Sequence, residues 1–168
     1  MKEPSKPSAA DPEESRPAAG CEIALQNPSR YPEAGARQIR PWLALLVAAV
    51  APQARSLGVR FTGDREVRRL NRTYRGKDKT TDVLSFPGDL DADRHLGDIL
   101  VSVPVARLQA AAAGHSTVRE IRILLLHGVL HCMGYDHETD QGEMERLERR
   151  LRRAWIPKTK MKEEGDDA

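Results

Sequence analysis

Apolar residues along this chain recur at two periods, and the alternation between them divides positions 21 to 156 into short strands and amphipathic helices. Ile23 and Leu25 alternate with polar neighbours and predict a strand over 21–25, ended by Asn27 and Pro28. Over 33–51 the period is helical, with Ile39, Trp42, Leu43, Leu46, Val47 and Val50 on one wide apolar stripe. Pro41 falls inside that stretch and either opens the helix at its first turn or kinks a longer one. A second strand is predicted over 57–62. Asp64 then has the position of an N-cap for a helix from Arg65 to about Tyr74, which buries Val67, Leu70 and Tyr74. Strands three and four are predicted over 82–87 and 96–103, joined by a loop over 88–94. An alanine-rich helix follows over 105–113 and stops at Gly114.

The sequence Thr117-Val-Arg-Glu120 has the form of a capping box and opens a helix of about 118–133. Its run from Ile121 to Leu126 is apolar nearly all round except at Arg122, so it is predicted to be the buried helix. The last helix, 138–155, is charged and turns Met144, Leu147 and Leu151 inward. Strands with helices before, between and after them give an α+β domain, a small mixed sheet of about four strands packed with about five helices. The expected domain is 21–156. Residues 1–20 hold four prolines, three serines and mixed charge without hydrophobic period, the composition of a disordered tail, and 157–168 form a polar C-terminal tail.

The buried helix carries the chain's clearest chemistry. His127 and His131 are four apart, so both imidazoles leave the same helical face one turn apart. Gly134 is able to take the left-handed conformation that ends the helix, and the chain turned back there brings His137 to the same point. Three neutral nitrogens with a fourth position open describe a catalytic metal site, with one zinc ion per chain the leading candidate. The spacing H-x-x-x-H-x-x-G-x-x-H is that of the metzincin metalloproteases, which carry Glu after the first His as general base. Gly128 stands there in this chain and cannot accept a proton. His95 and His115 lie at segment boundaries and are expected to be solvated. Asp136 either orients a ligand or takes a proton, or simply builds the turn. Asp98 and Ser85 are weaker candidates for the surroundings of the site.

Composition changes this picture little. The 168 residues are 39% hydrophobic and 31% charged, with a net charge of only +2. Cys21 and Cys132 form no C-x-x-C pair, which suits a reducing compartment, and Cys132 is expected to pack rather than coordinate. The N-terminal stretch has no apolar run of the secretory type, and the longest apolar run, 42–51, is about half of what a bilayer needs. A cytoplasmic protein with no membrane association is expected.

Charge is uneven along the chain. From Arg60 to Lys79 eight basic residues face only Asp64, Glu66 and Asp78, a local net of +5. Such a patch favours a polyanion such as nucleic acid. The basic residues of 75–79 are placed on a loop, where function concentrates.

Three ordered motifs carry a resemblance to a known family: the histidine motif of 127–137, Leu70-Asn-Arg-Thr-Tyr-Arg75 with its continuation to Pro87, and Leu96-Gly-Asp-Ile99. Over roughly 21–155 the chain resembles the bacterial rRNA maturation endoribonucleases of the YbeY type. The resemblance implies a zinc-dependent, single-strand-directed endoribonuclease acting in small-subunit ribosomal RNA processing and ribosome quality control. Ribosomal RNA, ribosomal particles and small-subunit proteins are the partners it implies. Carried over by position, the zinc ligands are His127, His131 and His137, and the important basic residue is Arg75. Thr80 stands where the family often has proline, which loosens the loop without removing chemistry. The competing classes are a metallopeptidase-like hydrolase and an RNA-binding ribosome assembly factor with a structural metal.

Overall fold

A computed structural model of the chain describes residues 21–158. The expected tail at 1–20 and most of that at 157–168 lie outside the described residues. Four strands, β1 (Glu22–Gln26), β2 (Ser56–Thr62), β3 (Val83–Pro87) and β4 (His95–Ser102), form one sheet in the order β1-β2-β4-β3. β1, β2 and β4 run parallel and β3 pairs antiparallel with β4, so the sheet is mixed, as expected, with β3 on its edge. Five helices pack around it: α1 (Ala36–Val50), α2 (Asp64–Arg75), α3 (Val103–Ala113), α4 (Thr117–Cys132) and α5 (Glu143–Trp155).

Strand alternation decides which face each helix covers. Leu57, Val59 and Phe61 of β2, with Ile99 and Val101 of β4, turn to one face and join α1 and α4 in the main core. Leu84, Leu100 and Val67 of α2 make a smaller cluster. Ile121, Leu125, Leu126, Val129 and Leu130 of α4 are fully buried, so this helix is the interior one. Burial of each such side chain stabilises by about 1.5–3 kcal/mol, which holds α4 rigidly against β3 and β4.

Several boundaries differ from the sequence reading, each for a local reason. α1 begins at Ala36 after a 3-10 turn, so Pro41 sits in its second turn, where the residue is exposed. Gly63, not Asp64, is the N-cap of α2; Asp64 lies in the first turn with Glu66, where a carboxylate favours the positive end of the helix dipole. The same helix runs one residue further than expected, because Gly76 at φ +67° provides a left-handed cap. Arg75 therefore rides the last helical turn and not the loop. Tyr74 is 67% exposed rather than buried, meeting only the edge of the Phe86 ring, at 5.4 Å between centroids. Asn71 takes the inward position, and its Nδ2 donates to the Lys79 carbonyl at 2.9 Å, fastening the basic segment to the helix.

No capping box forms at α4. Ser116 is the cap, its Oγ accepting from the Arg119 N–H at 3.1 Å, while Glu120 turns to His115 at 2.5 Å. His115 is thus partnered and largely buried rather than solvated. His95 also departs from expectation, with Nδ1 2.8 Å from Ser56 Oγ and Nε2 3.2 Å from Asp98. α5 starts at Glu143 because Asp140 accepts from the N–H groups of Gly142 and Met144, both at 2.9 Å. Those bonds hold the Asp140 carboxyl below its ordinary range.

Candidate metal centre

The last two turns of α4 aim His127 and His131 at each other, with their Nε2 atoms 3.0 Å apart. Their protons are fixed from behind. His131 Nδ1 donates to the Tyr135 carbonyl at 3.0 Å, and a carbonyl oxygen accepts only. His127 Nδ1 donates to the Glu148 carboxylate, 3.1 and 3.2 Å from its two oxygens. In the neutral tautomers these bonds select, both Nε2 atoms carry lone pairs, and the two meet face to face. A shared cation relieves that opposition: ligands about 2.0–2.1 Å from one ion stand roughly 3.3 Å apart at the tetrahedral angle.

The third imidazole arrives through the helix end. Gly134, at φ +98°, donates to the His131 carbonyl at 3.0 Å, and Tyr135 donates to the Leu130 carbonyl at 3.1 Å, the paired bonds of a Schellman closure. This reversal brings the His137 ring within 5.5 Å of His127 and 5.4 Å of His131, centroid to centroid. One nitrogen from each of the three histidines lies within 4.8 Å of the others, an arrangement able to hold a metal ion. Burial lowers the pKa of His131, and the neighbouring His127 lowers it further, with smaller contributions in the same direction from His137 and Arg75. The neutral imidazole a metal requires is the favoured form.

The surroundings separate candidates that the sequence left open. Asp136 builds the turn: its Oδ1 accepts from the Glu138 N–H at 3.0 Å and its carbonyl from Asp140 at 3.0 Å. Asp98 is occupied by His95 and not by a histidine of the cluster. Ser85, buried on the edge strand, does line the cleft beside the histidines, together with Arg75, Lys77 and Lys79. Gly128 faces the sheet, and a Cβ added there would stand 3.0 Å from Ile99 and from Ser85 Oγ. The position that carries Glu in metzincins is thus tightly packed against the sheet here. Cys132 is buried and unpaired, with its thiol pushed up to about 12 by burial, as suits a packing residue.

Glu148 was not among the sequence candidates. A signal existed: Met144, Leu147, Glu148 and Leu151 share one face of α5, and an acid on an apolar stripe calls for a buried partner. Arg75 was among them, and the last turn of α2 puts it on the wall of the cleft that holds the three imidazoles.

Comparison with known proteins shows which family the chain resembles. The family described as Endoribonuclease YbeY matches residues 26–155. Endoribonuclease YbeY of Solibacter usitatus is 55% identical over 92 residues, 55% of this chain and 60% of that protein. Its counterpart in Koribacter versatilis is 54% identical over 94 residues, 56% of this chain and 60% of that protein. Endoribonuclease YbeY of Aquifex aeolicus is 43% identical over 116 residues, 68% of this chain and 77% of that protein. The match thus spans less than two thirds of the Solibacter and Koribacter proteins. The solution structure of TM1509 from Thermotoga maritima is similar in fold, with a TM-score of 0.54 and 25% identity, over 80% of this chain and 89% of that one. No helix among the described residues is long and apolar enough to cross a membrane.

Proposed function

This chain belongs to the endoribonuclease YbeY family, and on that premise we propose that it is a metal-dependent endoribonuclease cutting single-stranded ribosomal RNA. The processing of small-subunit RNA and ribosome quality control are its field of action, the cytoplasm its place, and ribosomal particles with their small-subunit proteins its partners. One observation carries the reading: three imidazoles able to share one ion stand in the same cleft as Arg75, Lys77 and Lys79. In this reading His127, His131 and His137 hold one zinc ion, and three neutral nitrogen donors able to converge on one point suit that metal. Bound there, zinc supplies a Lewis acid and a water acidified toward neutral pH.

The chain's own residues do the rest. Arg75 is always charged, and its planar fork matches two oxygens of one phosphate, so it holds the scissile group and offsets negative charge as it builds. Lys77 and Lys79 attract the strand but do not orient it, since an ammonium acts as a point charge. Glu148 and the Tyr135 carbonyl keep the His127 and His131 rings in the tautomer that presents Nε2.

Stripping the protein with a chelator and restoring zinc tests the reading. Cleavage of a labelled single-stranded ribosomal RNA fragment is expected to vanish and then return with about one zinc per chain. Cutting that survives chelation contradicts it, and metal that restores thermal stability but no cutting would favour the assembly-factor class.

A further inference from the structure

A second concave surface lies away from the cleft, where α5 ends beside the start of α4. Arg119 from α4, Arg149, Arg152 and Arg153 from α5, and Lys158 beyond it line this groove. Arg149 is paired with Glu145 at 2.9 Å, whereas Arg152 and Arg153 have no carboxylate partner among the described residues. Arg119 is held in place by two carbonyls, of Ile156 at 3.0 Å and Pro157 at 2.6 Å, so its remaining donors are presented without further ordering cost. A charged helix face alone is ordinarily just solvated. Here cations from three segments converge on one hollow, and the helix dipole, which accounts for arginines in the last turn of α5, does not account for Arg119. Glu148 lines the same groove while its carboxylate holds His127, so one residue separates the groove from the candidate metal centre.

We propose that this groove binds the phosphate backbone of RNA outside the cleft, anchoring the segment that flanks the strand being cut. The inference rests on the RNA reading of the cleft. Guanidinium groups on successive helical turns suit consecutive phosphates, and a site made of such groups binds RNA without reading its sequence.

Binding of a long single-stranded RNA and of a short oligonucleotide that fills only the cleft, measured across salt concentrations, tests the groove. The variant is Arg152→Ser with Arg153→Ser. The control is Arg146→Ser with Arg150→Ser, two exposed positions of the same helix outside the groove. The groove variant is expected to bind the long RNA about tenfold more weakly, with a salt slope lower by about 1.4, roughly 0.7 for each phosphate that an arginine no longer neutralises. Its thermal midpoint and its cleavage of the short oligonucleotide stay those of the parent. Unchanged long-RNA affinity overturns the proposal and points the groove to an acidic protein surface instead; equal weakening in the control, or equal weakening on the short oligonucleotide, also overturns it. Since binding is read apart from cleavage, a parent that binds RNA without cutting it would fail the enzymatic reading and leave this one standing.

Discussion

The Glu148 carboxylate stands 3.1 Å from His127 Nδ1 and ties α5 to the candidate metal centre on α4. The bond fixes the imidazole in the tautomer that leaves Nε2 free. Glu148→Ala is therefore expected to weaken zinc binding by about 10–100-fold, the usual effect of losing a partner behind a ligating histidine. Glu148→Gln, whose amide oxygen still accepts, should lose less. A chelator competition titration reads both, and an affinity unchanged in Glu148→Ala would contradict the role.

Arg75 is placed by the final turn of α2 and by the Gly76 cap rather than by a loop. Arg75→Ala is predicted to lower the cleavage rate by at least about tenfold, roughly 1.4 kcal/mol of barrier, with zinc content unchanged. Arg75→Lys should not restore it, because an ammonium cannot grip two oxygens in one plane. Rates within tenfold of the parent would remove Arg75 from the reaction.

Gly97 sits at φ +155°, where an added Cβ would stand 2.5 Å from the Phe86 carbonyl oxygen and 2.6 Å from Cys132 Sγ. The first neighbour is backbone and the second a buried thiol. Gly97→Ala is expected to cost about 3 kcal/mol, combining backbone strain with overpacking, and to disturb the turn of α4 that carries His131. Thermal unfolding measures it; an unchanged midpoint would mean that the β3–β4 edge yields easily.

His131 titrates below its ordinary value of 6.5, first because it is buried and then because His127 is near. In metal-free protein its contribution to stability is fully present above the unfolded value and is lost as the pH falls through the lower folded value. Denaturant unfolding of the metal-free parent should therefore weaken below about pH 6.5, and His131→Gln should lack that part of the slope. Parallel profiles for the two proteins would count against it.

The fold and the ligand cluster were largely legible in the chain because both depend on short-range spacing. Alternation in Leu57, Val59 and Phe61 gave the strand and its buried face, and the four-residue step from His127 to His131 with Gly134 gave the cluster. Pairings between distant segments were not legible. Nothing local tells that Glu148 reaches across 21 residues to His127, or that the sheet packs tightly against Gly128. Caps slipped by one residue at Asp64 and Thr117 because neighbouring Gly63 and Ser116 serve equally well, and competition between adjacent caps is settled by packing. Tyr74 looked buried from its period, yet its turn of α2 meets only the edge of Phe86.

In the proposed reaction, one metal held by His127, His131 and His137 acts with Arg75 of the same cleft to cut RNA. Cleavage of a ribosomal RNA fragment by the parent, Arg75→Ala and His131→Ala proteins, purified side by side, decides whether it does. Cuts made by the parent and lost in both variants, with zinc absent only from His131→Ala, are the predicted result. Equal cutting by all three, or none by any, would contradict it.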